Sequence, residues 1–300
     1  LQIKYLTKLK DNFIIHAHMG HQGYYSIGLK NYFNCPLVVT FYGADMSSLS
    51  KYQTWKKKYK KLFKEADMFF VEGKIMRHEL IKLGAPTEKV KISKIPIPIN
   101  SIPYKQKSAK EENIKILMCA TFVEKKGYIT GLKAIKKLHD ERHDIKVGII
   151  GDGPLKSEIY NFVNENQLVD ITQFYGRILN KEIHQIASNY DIFLHPSEEA
   201  SDGDTEGGAP TIILEMQANG LPIVATNHRD IPNYIPPENQ YLAEEGDYEK
   251  VFVELKRLIT DSHKWDLISK VGRDFVVENH SIQQIGNKMV EYYESLSNQK

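Results

Sequence analysis

Lys126, Glu206 and Glu215 are the side chains whose setting points most directly to chemistry. Glu206 leads into Gly207-Gly208-Ala209, then Pro210, then a run from Thr211 to Asn219 whose pattern predicts a short helix stopped by Gly220. Pro210 suits the first helical position, where its missing N–H is not needed and φ is already set. A glycine loop that opens a helix presents free backbone N–H groups and the positive end of the helix dipole, which suits a phosphate. About one turn further in, the Glu215 carboxylate is placed to accept both hydroxyls of a ribose. Lys126 stands just before Gly127, after an apolar run at 114–120. A cation there can neutralise a departing diphosphate, whereas neighbouring Lys125 reads as a solvated turn lysine. Together these parts make a site for a nucleoside diphosphate with a group attached.

Regular alternation of strands and helices is what must position them. Strand patterns fall at 114–120, 145–150, 171–175, 191–195 and 222–226, with helical patterns at 128–139, 155–166, 181–188 and 210–219 between them. Apolar strands alternating with helices predict a parallel sheet covered on both faces, with its loops gathered at the carboxyl edge where ligands bind. In the first half, 13–17, 37–41 and 68–71 read as strands and 24–33, 51–66 and 75–83 as helices. Three prolines between Ile95 and Tyr104, followed by a polar run to Asn113, mark a boundary. The reading is a first domain over 1–105, a second over 106–280 and a C-terminal helix over 281–300. The first domain lacks an opening strand and glycine turn, so it reads as incomplete at its N-terminus.

The composition is that of an ordinary globular chain: 300 residues, 41% hydrophobic, 26% charged and a formal net charge of +2. That charge gives no global reason to invoke nucleic acid. No apolar run reaches the ~18 residues of a spanning helix, and no leader peptide is visible. Cys35 and Cys119 sit in apolar settings, which argues against a disulfide framework and for a reducing, cytoplasmic setting.

The donor segment resembles that of the retaining glycosyltransferases of family 4, whose fold is GT-B: two doubly wound, Rossmann-like domains facing a cleft. Further motifs carry the resemblance. Ala120 to Gly127 (ATFVEKKG) stands where the family has a Gly-Arg…Lys-Gly turn, Gly151-Asp152-Gly153-Pro154 matches a GDGP turn, and Phe174-Tyr175-Gly176 an FxG turn. Asp191 to Ser197 (DIFLHPS) matches the strand before the donor loop. The likeness runs from about Phe13 to the C-terminus and is strongest to bacterial members that build exopolysaccharide or lipopolysaccharide. It implies transfer of a sugar from a UDP- or GDP-sugar to a glycan or lipid-linked acceptor, with no cofactor and no metal. Lys126 and Glu206 are then the catalytic residues, with Glu206 on the sugar hydroxyls. Thr121, Gly151, Arg177, Gly207, Gly208, Ala209, Pro210, Thr211 and Glu215 bind the donor, while His18, Tyr42 and Asp45 lie on the acceptor side. The C-terminal helix is expected to cross back to the first domain.

Three departures from the family pattern bear on this. Thr121 replaces the arginine that partners the lysine, so half of a cationic clamp is missing unless Arg177 supplies it. Tyr42 replaces a histidine. Glu206 and Glu215 are nine positions apart rather than eight, with the extra residue in the glycine loop.

Other clusters admit blander readings. Asp202-Gly203-Asp204 is similar to the metal-binding Asp-x-Asp of a different glycosyltransferase fold, but reads better as a solvated acidic loop. His16, His18 and His21 make a poor metal site, and Asp45 can orient an acceptor or cap the next helix. Lys51 to Lys64 holds seven lysines and no acid, with Tyr52, Trp55, Tyr59 and Leu62 at helical spacing. That stripe either packs into the core or rests with the lysines on an anionic membrane, which would make the protein peripheral on the inner face of the plasma membrane. The rival functional readings are another GT-B enzyme, such as a nucleotide-sugar epimerase or phosphorylase, and an inactive nucleotide-sugar-binding partner subunit.

Overall fold

A computed structural model describes residues 13–142 and 144–297. Residues 1–12, assigned above to the first domain, and 298–300, assigned to the C-terminal helix, lie outside the described residues. Two compact units form: 1–95 together with 283–300, and 96–282.

The first unit alternates β1 (Ile15–His18), α1 (Gly20–Phe33), β2 (Leu37–Thr40), α2 (Ala44–Ser47), α3 (Gln53–Glu65), β3 (Met68–Val71), α4 (Lys74–Lys82) and β4 (Val90–Ile92). Its strands pair in parallel in the order β1-β2-β3-β4. Leu37, Val39, Phe41, Phe69 and Val71 pack with Leu62 and Phe63 of α3 on one face. Val38, Met68 and Phe70 pack with Leu296, Tyr292 and Tyr293 of the C-terminal helix (Ile282–Ser297) on the other. Two adjacent β2 residues thus serve opposite faces, as the two-residue period of a strand requires. The short strand β4 was not expected, because three residues are too few to establish an alternation.

In the second unit, β5 (Ile114–Cys119), α5 (Tyr128–Glu141), β6 (Ile145–Ile150), α6 (Lys156–Glu165), β7 (Thr172–Gly176), α7 (Asn180–Ala187), β8 (Ile192–His195), α8 (Thr211–Asn219), β9 (Ile223–Thr226) and β10 (Tyr241–Ala243) precede α9 (Tyr248–Thr260) and α10 (Trp265–His280). All six strands are parallel in the order β10-β9-β8-β5-β6-β7. The chain winds outward from β5 to β7, then returns to the other side of β5. The order therefore reverses between β5 and β8, and a crevice opens there at the carboxyl ends of the strands.

The boundary differs from the expected position at 105. It falls after Ile95 because the proline-rich segment is laid onto the second unit instead of hanging free. Lys105 N–H donates to Asn219 C=O (2.9 Å), Lys107 N–H to Ser269 Oγ (3.0 Å), and the Arg273 guanidinium to Ile99 C=O (3.3 Å) and Ala218 C=O (2.5 Å). Proline removes donors from this segment, and the Ile99 carbonyl within it has found a cation.

Candidate donor site

The turn after β5 and the loop after β8 flank the switch point, and one glycine lets them meet. Gly127 has φ +61°, and a Cβ there would lie 1.8 Å from Pro196 C=O. Gly151 does the same for the next strand, since its Cβ would sit 2.0 Å from Ala120 C=O. Tyr128, buried at the head of α5, ties the same corner: its hydroxyl accepts from Ala120 N–H (2.8 Å) and lies 3.1 Å from Ile150 C=O.

These approaches enclose a cavity of 710 Å³ lined by Thr121, Lys126, Gly151, Arg177, Pro210 and Thr211, together with Ile178, Ile183 and Ile212. Five of the nine residues assigned to donor binding, with Lys126, are thus brought to one hollow, whose size suits a small ligand, while Glu206, Gly207, Gly208, Ala209 and Glu215 are not part of its lining. Pro210 is the cap rather than the first helical residue, with ψ 127°, so Thr211 begins α8. Ile213 N–H turns back to Pro210 C=O (3.0 Å). By helix geometry the N–H groups of Thr211 and Ile212 are left at the head of α8, and both residues line the cavity. Gly207, with φ +73°, turns the loop just before Gly208 and the buried Ala209. Arg177 is exposed and has no ion pair among the described residues, so its charge remains available.

Lys126 is not a free cation. Its Nζ lies 2.7 and 2.8 Å from the two carboxylate oxygens of Glu206, and the pair is largely covered, at 16% and 6% side-chain exposure. Ser197 Oγ donates to the same carboxylate (2.8 Å). Burial opposes ionisation of Glu206, but His195 and Lys126 together hold its carboxyl well below the usual range. The direction rests on Lys126, because His195 Nε2 is 3.9 Å away and makes no hydrogen bond. His195 is fully enclosed, and burial lowers its own basicity, so the ring is neutral.

The neighbouring pair overturns one expectation. Lys125 is no solvated lysine: its Nζ meets Asp204 Oδ2 at 2.9 Å and Thr205 C=O at 3.0 Å. Asp202-Gly203-Asp204 is a solvent-facing acidic loop as expected, with Asp202 exposed, but its carboxylates are hydrogen-bonded within the turn. Asp202 Oδ1 accepts Asp204 N–H (2.8 Å), and Asp204 Oδ1 accepts Thr205 N–H (2.9 Å). Glu124 adds two bonds to Ser201, one to its N–H (2.8 Å) and one to its Oγ (2.7 Å). Three consecutive residues, Glu124, Lys125 and Lys126, therefore strap the donor loop at three points. Opposite charges about 80 positions apart carry no sequence signal, so this strap was missed. Ser197 and His195 lay inside the quoted DIFLHPS motif, and only their facing toward Glu206 was unseen. Glu215 sits one turn into α8 with His184 Nε2 3.7 Å away, and burial raises its pKa while Asn180 opposes the rise.

On the first unit, His18 and Tyr42 do meet: His18 Nδ1 and the Tyr42 hydroxyl are 2.5 Å apart at the carboxyl ends of β1 and β2. His16 stacks on His18 at 4.5 Å and bonds Tyr293 Oη (2.6 Å) and Thr40 Oγ1 (2.7 Å). Asp45 departs from the acceptor role. It is fully buried, and its oxygens accept the N–H groups of Gly20 (2.7 Å), Tyr42 (3.1 Å) and Gly43 (2.9 Å), so it fixes the turn. Most of the predicted stripe turns inward: Tyr59 and Leu62 are buried with Phe63 and Trp55 packs beside them, but Tyr52 is exposed, as are Lys56, Lys57, Lys60, Lys61 and Lys64.

Comparison with known proteins bears on both units. The family model described as glycosyl transferases group 1 matches residues 101–275. The amylovoran biosynthesis glycosyltransferase AmsK of Erwinia amylovora is 32% identical over 222 residues, covering 74% of this chain and 54% of that protein. The chain thus spans about half the length of that relative. The putative colanic acid biosynthesis glycosyltransferase WcaL of Escherichia coli K12 is 25% identical over 284 residues, 93% of this chain and 70% of that protein. Among solved structures, Anabaena HepE in complex with UDP superposes with a TM-score of 0.83 at 16% identity, covering 98% of this chain and 82% of that one. The sucrose-phosphate synthase of Thermosynechococcus elongatus gives 0.81 at 16% identity, over 100% and 77%. The fold of the two units is accordingly GT-B.

Proposed function

The chain belongs to the glycosyl transferases group 1 family, and from that membership we propose that it is a retaining glycosyltransferase of cell-surface polysaccharide synthesis. It moves a sugar from a UDP- or GDP-sugar to a glycan or lipid-linked acceptor. The observation that carries this is the cavity at the strand-order switch, where Lys126, Arg177 and the head of α8 converge. The relatives are named for amylovoran and colanic acid synthesis, and a solved neighbour holds UDP.

In this reading Glu215 takes the ribose, and the N–H groups at the start of α8 receive the diphosphate. Arg177 supplies the charge that Thr121 does not. Lys126 exchanges its bond to Glu206 for one to phosphate, and Glu206, so released, takes the hydroxyls of the sugar. Negative charge grows on the departing diphosphate as the glycosidic bond breaks, which is when Lys126 contributes most. The acceptor hydroxyl attacks from the leaving-group side and gives its proton to the leaving phosphate. His18 and Tyr42 hydrogen-bond the acceptor. No metal is required, because fixed cations and helix N–H groups do that work.

The exposed lysines of α3 support adsorption to an anionic membrane surface by charge, each contributing about 1 kcal/mol near the surface. No helix among the described residues is long and apolar enough to cross a membrane. Binding to vesicles containing phosphatidylglycerol that vanishes at high salt is the expected signature, and salt-insensitive binding counts against it.

The donor assignment is tested by thermal denaturation with UDP, GDP and free sugars. A nucleoside diphosphate at ~100 times its Kd adds about 2.7 kcal/mol, and the sugar alone adds nothing. A folded chain that responds to neither nucleotide overturns it.

A further inference from the structure

Glu206 is held from a second direction, by its main chain. Its N–H donates to His228 Nε2 at 3.2 Å, and the opposite nitrogen of that ring, Nδ1, meets the Glu245 carboxylate. An Nε2 that accepts a hydrogen bond carries no proton, so the ring proton lies on Nδ1, where Glu245 is its acceptor. His228 is 2% exposed, while the Glu245 side chain keeps 44% of its surface. A chain of two hydrogen bonds thus runs from a surface carboxylate through a buried ring to the backbone of the donor loop.

The ring is itself well placed to act as a fixed point. Its residue follows β9, where Asn227 N–H bonds Ala243 C=O of β10 (2.8 Å), and His228 C=O accepts Ile231 N–H (3.1 Å). Around Glu206 the loop turns at Gly203 (φ +77°) and Gly207 (φ +73°), conformations that glycine takes without strain. Lys126 and Ser197 hold the Glu206 side chain, but Lys126 is the partner that donor phosphate would withdraw. Once it leaves, the main-chain bond to His228 remains to fix where the Glu206 carboxylate points.

We infer that His228 and Glu245 are a positioning pair that aims Glu206 at the transferred sugar while Lys126 is engaged elsewhere. This rests on the donor role proposed above for Glu206. His228 touches no substrate and acts only through the loop.

The test separates binding of the nucleotide from binding of its sugar. In His228→Leu the acceptor is gone, whereas His228→Gln offers Oε1 near the place of Nε2. Calorimetric titration with a panel of UDP- and GDP-sugars should show the leucine variant weakened about fivefold, the weight of one hydrogen bond, with affinity for the bare nucleoside diphosphate unchanged. Turnover should fall by up to about 10²-fold, as expected for a misplaced group, and the glutamine variant should recover most of both. Equal losses for sugar nucleotide and bare nucleotide, or a glutamine variant as impaired as leucine, overturn the inference. Glu245→Ala, altered on a half-exposed side chain, covers the case in which the leucine variant does not fold. It should show the same split at smaller size, and a sugar-nucleotide affinity equal to that of the intact chain overturns the pair. If the intact chain binds no nucleotide, the donor reading has failed. Exchange of the Glu206 amide then decides the pair: it must quicken in Glu245→Ala, and constancy overturns it.

Discussion

The two units present polar side chains at the same place, the carboxyl ends of parallel strands, in different electrical states. In the second unit the groups are charged and already paired: Lys125 with Asp204, Lys126 with Glu206. In the first, Tyr293, His16 and Thr40 form a chain of hydroxyls and imidazole with the His18–Tyr42 pair beside it, and the Asp45 carboxylate is turned to backbone N–H groups instead of a cation. The difference follows from what each can exchange. An incoming diphosphate can replace a carboxylate on Lys126 charge for charge, with no cation stranded in a buried place. A neutral chain has only hydroxyls and imidazoles to re-pair, which fits a sugar hydroxyl and offers little to an anion.

Removing the charge from the paired side should break the contrast most severely. Lys126→Ala is expected to lower turnover by about 10²–10³-fold, as for loss of one donor to a developing oxyanion. It also strands Glu206 at 6% exposure, which costs about 3–5 kcal/mol of stability when a buried pair loses one member. Lys126→Ala combined with Glu206→Gln should regain most of the melting temperature and none of the transfer activity. If the double variant stays as unstable as the single one, the pair is not what holds the loop.

That a prediction can separate these effects shows where sequence ends and structure begins. Thr211–Asn219 and its stop at Gly220 were legible, because helix period and a left-handed glycine are local signals. The strand Met68–Val71 was legible for the same reason, as an apolar run between polar stretches. The cavity residues could be collected because parallel alternation sends every βα loop to one edge. Partners could not. Glu206 finds Lys126 80 positions away and His228 22 positions away. Asp45 left two uses open, and only three backbone N–H contacts decide that it serves the turn.

Acid reaches His16 and Glu206 at different pH. His16 is held down to about 4 by burial and by neighbouring His18. The unfolded chain, with an ordinary histidine near 6.5, therefore takes up the proton first, and stability falls as pH drops from about 6.5 to 4. The loss should be on the order of 1–2 kcal/mol once solvent screening of a partly covered ring is allowed for. Glu206 behaves differently: its carboxyl lies below the usual range, so its contribution persists until pH falls below about 4.3. Melts of the intact chain and of His16→Gln, followed by circular dichroism, should differ in the upper window alone. A variant that keeps the full slope there would remove His16 from the neutral chain.

Lys125 tests how far the strap extends. Its pair with Asp204 is more open than the Lys126 pair, at 20% and 28% exposure. About 1 kcal/mol is then expected at most, which corresponds to roughly a fivefold change. The effect of Lys125→Ala should fall on the KM for donor rather than on turnover, since the residue sets the loop and meets no phosphate. A turnover loss equal to that of Lys126→Ala would make the two lysines one clamp.

The smallest expected effect is none, and it bears on the same contrast. If fixed cations and helix N–H groups neutralise the diphosphate, EDTA should leave sugar transfer unchanged within error. The carboxylates that would have to bind an ion are already committed. Asp204 gives one oxygen to Lys125 and the other to Thr205 N–H, and Asp202 accepts from Asp204 N–H. A divalent ion taking both aspartates would have to displace Lys125 and undo the turn that these bonds shape. Its ligands are oxygens it normally finds uncommitted or solvated, and the exchange would leave Lys125 without its carboxylate. Transfer assayed before and after chelation, then with Mn²⁺ or Mg²⁺ restored, reads this directly. Activity lost to EDTA and recovered with metal would mean that the acidic turn opens during the reaction, and that charge on the second unit is supplied by an ion rather than by Lys126 and Arg177.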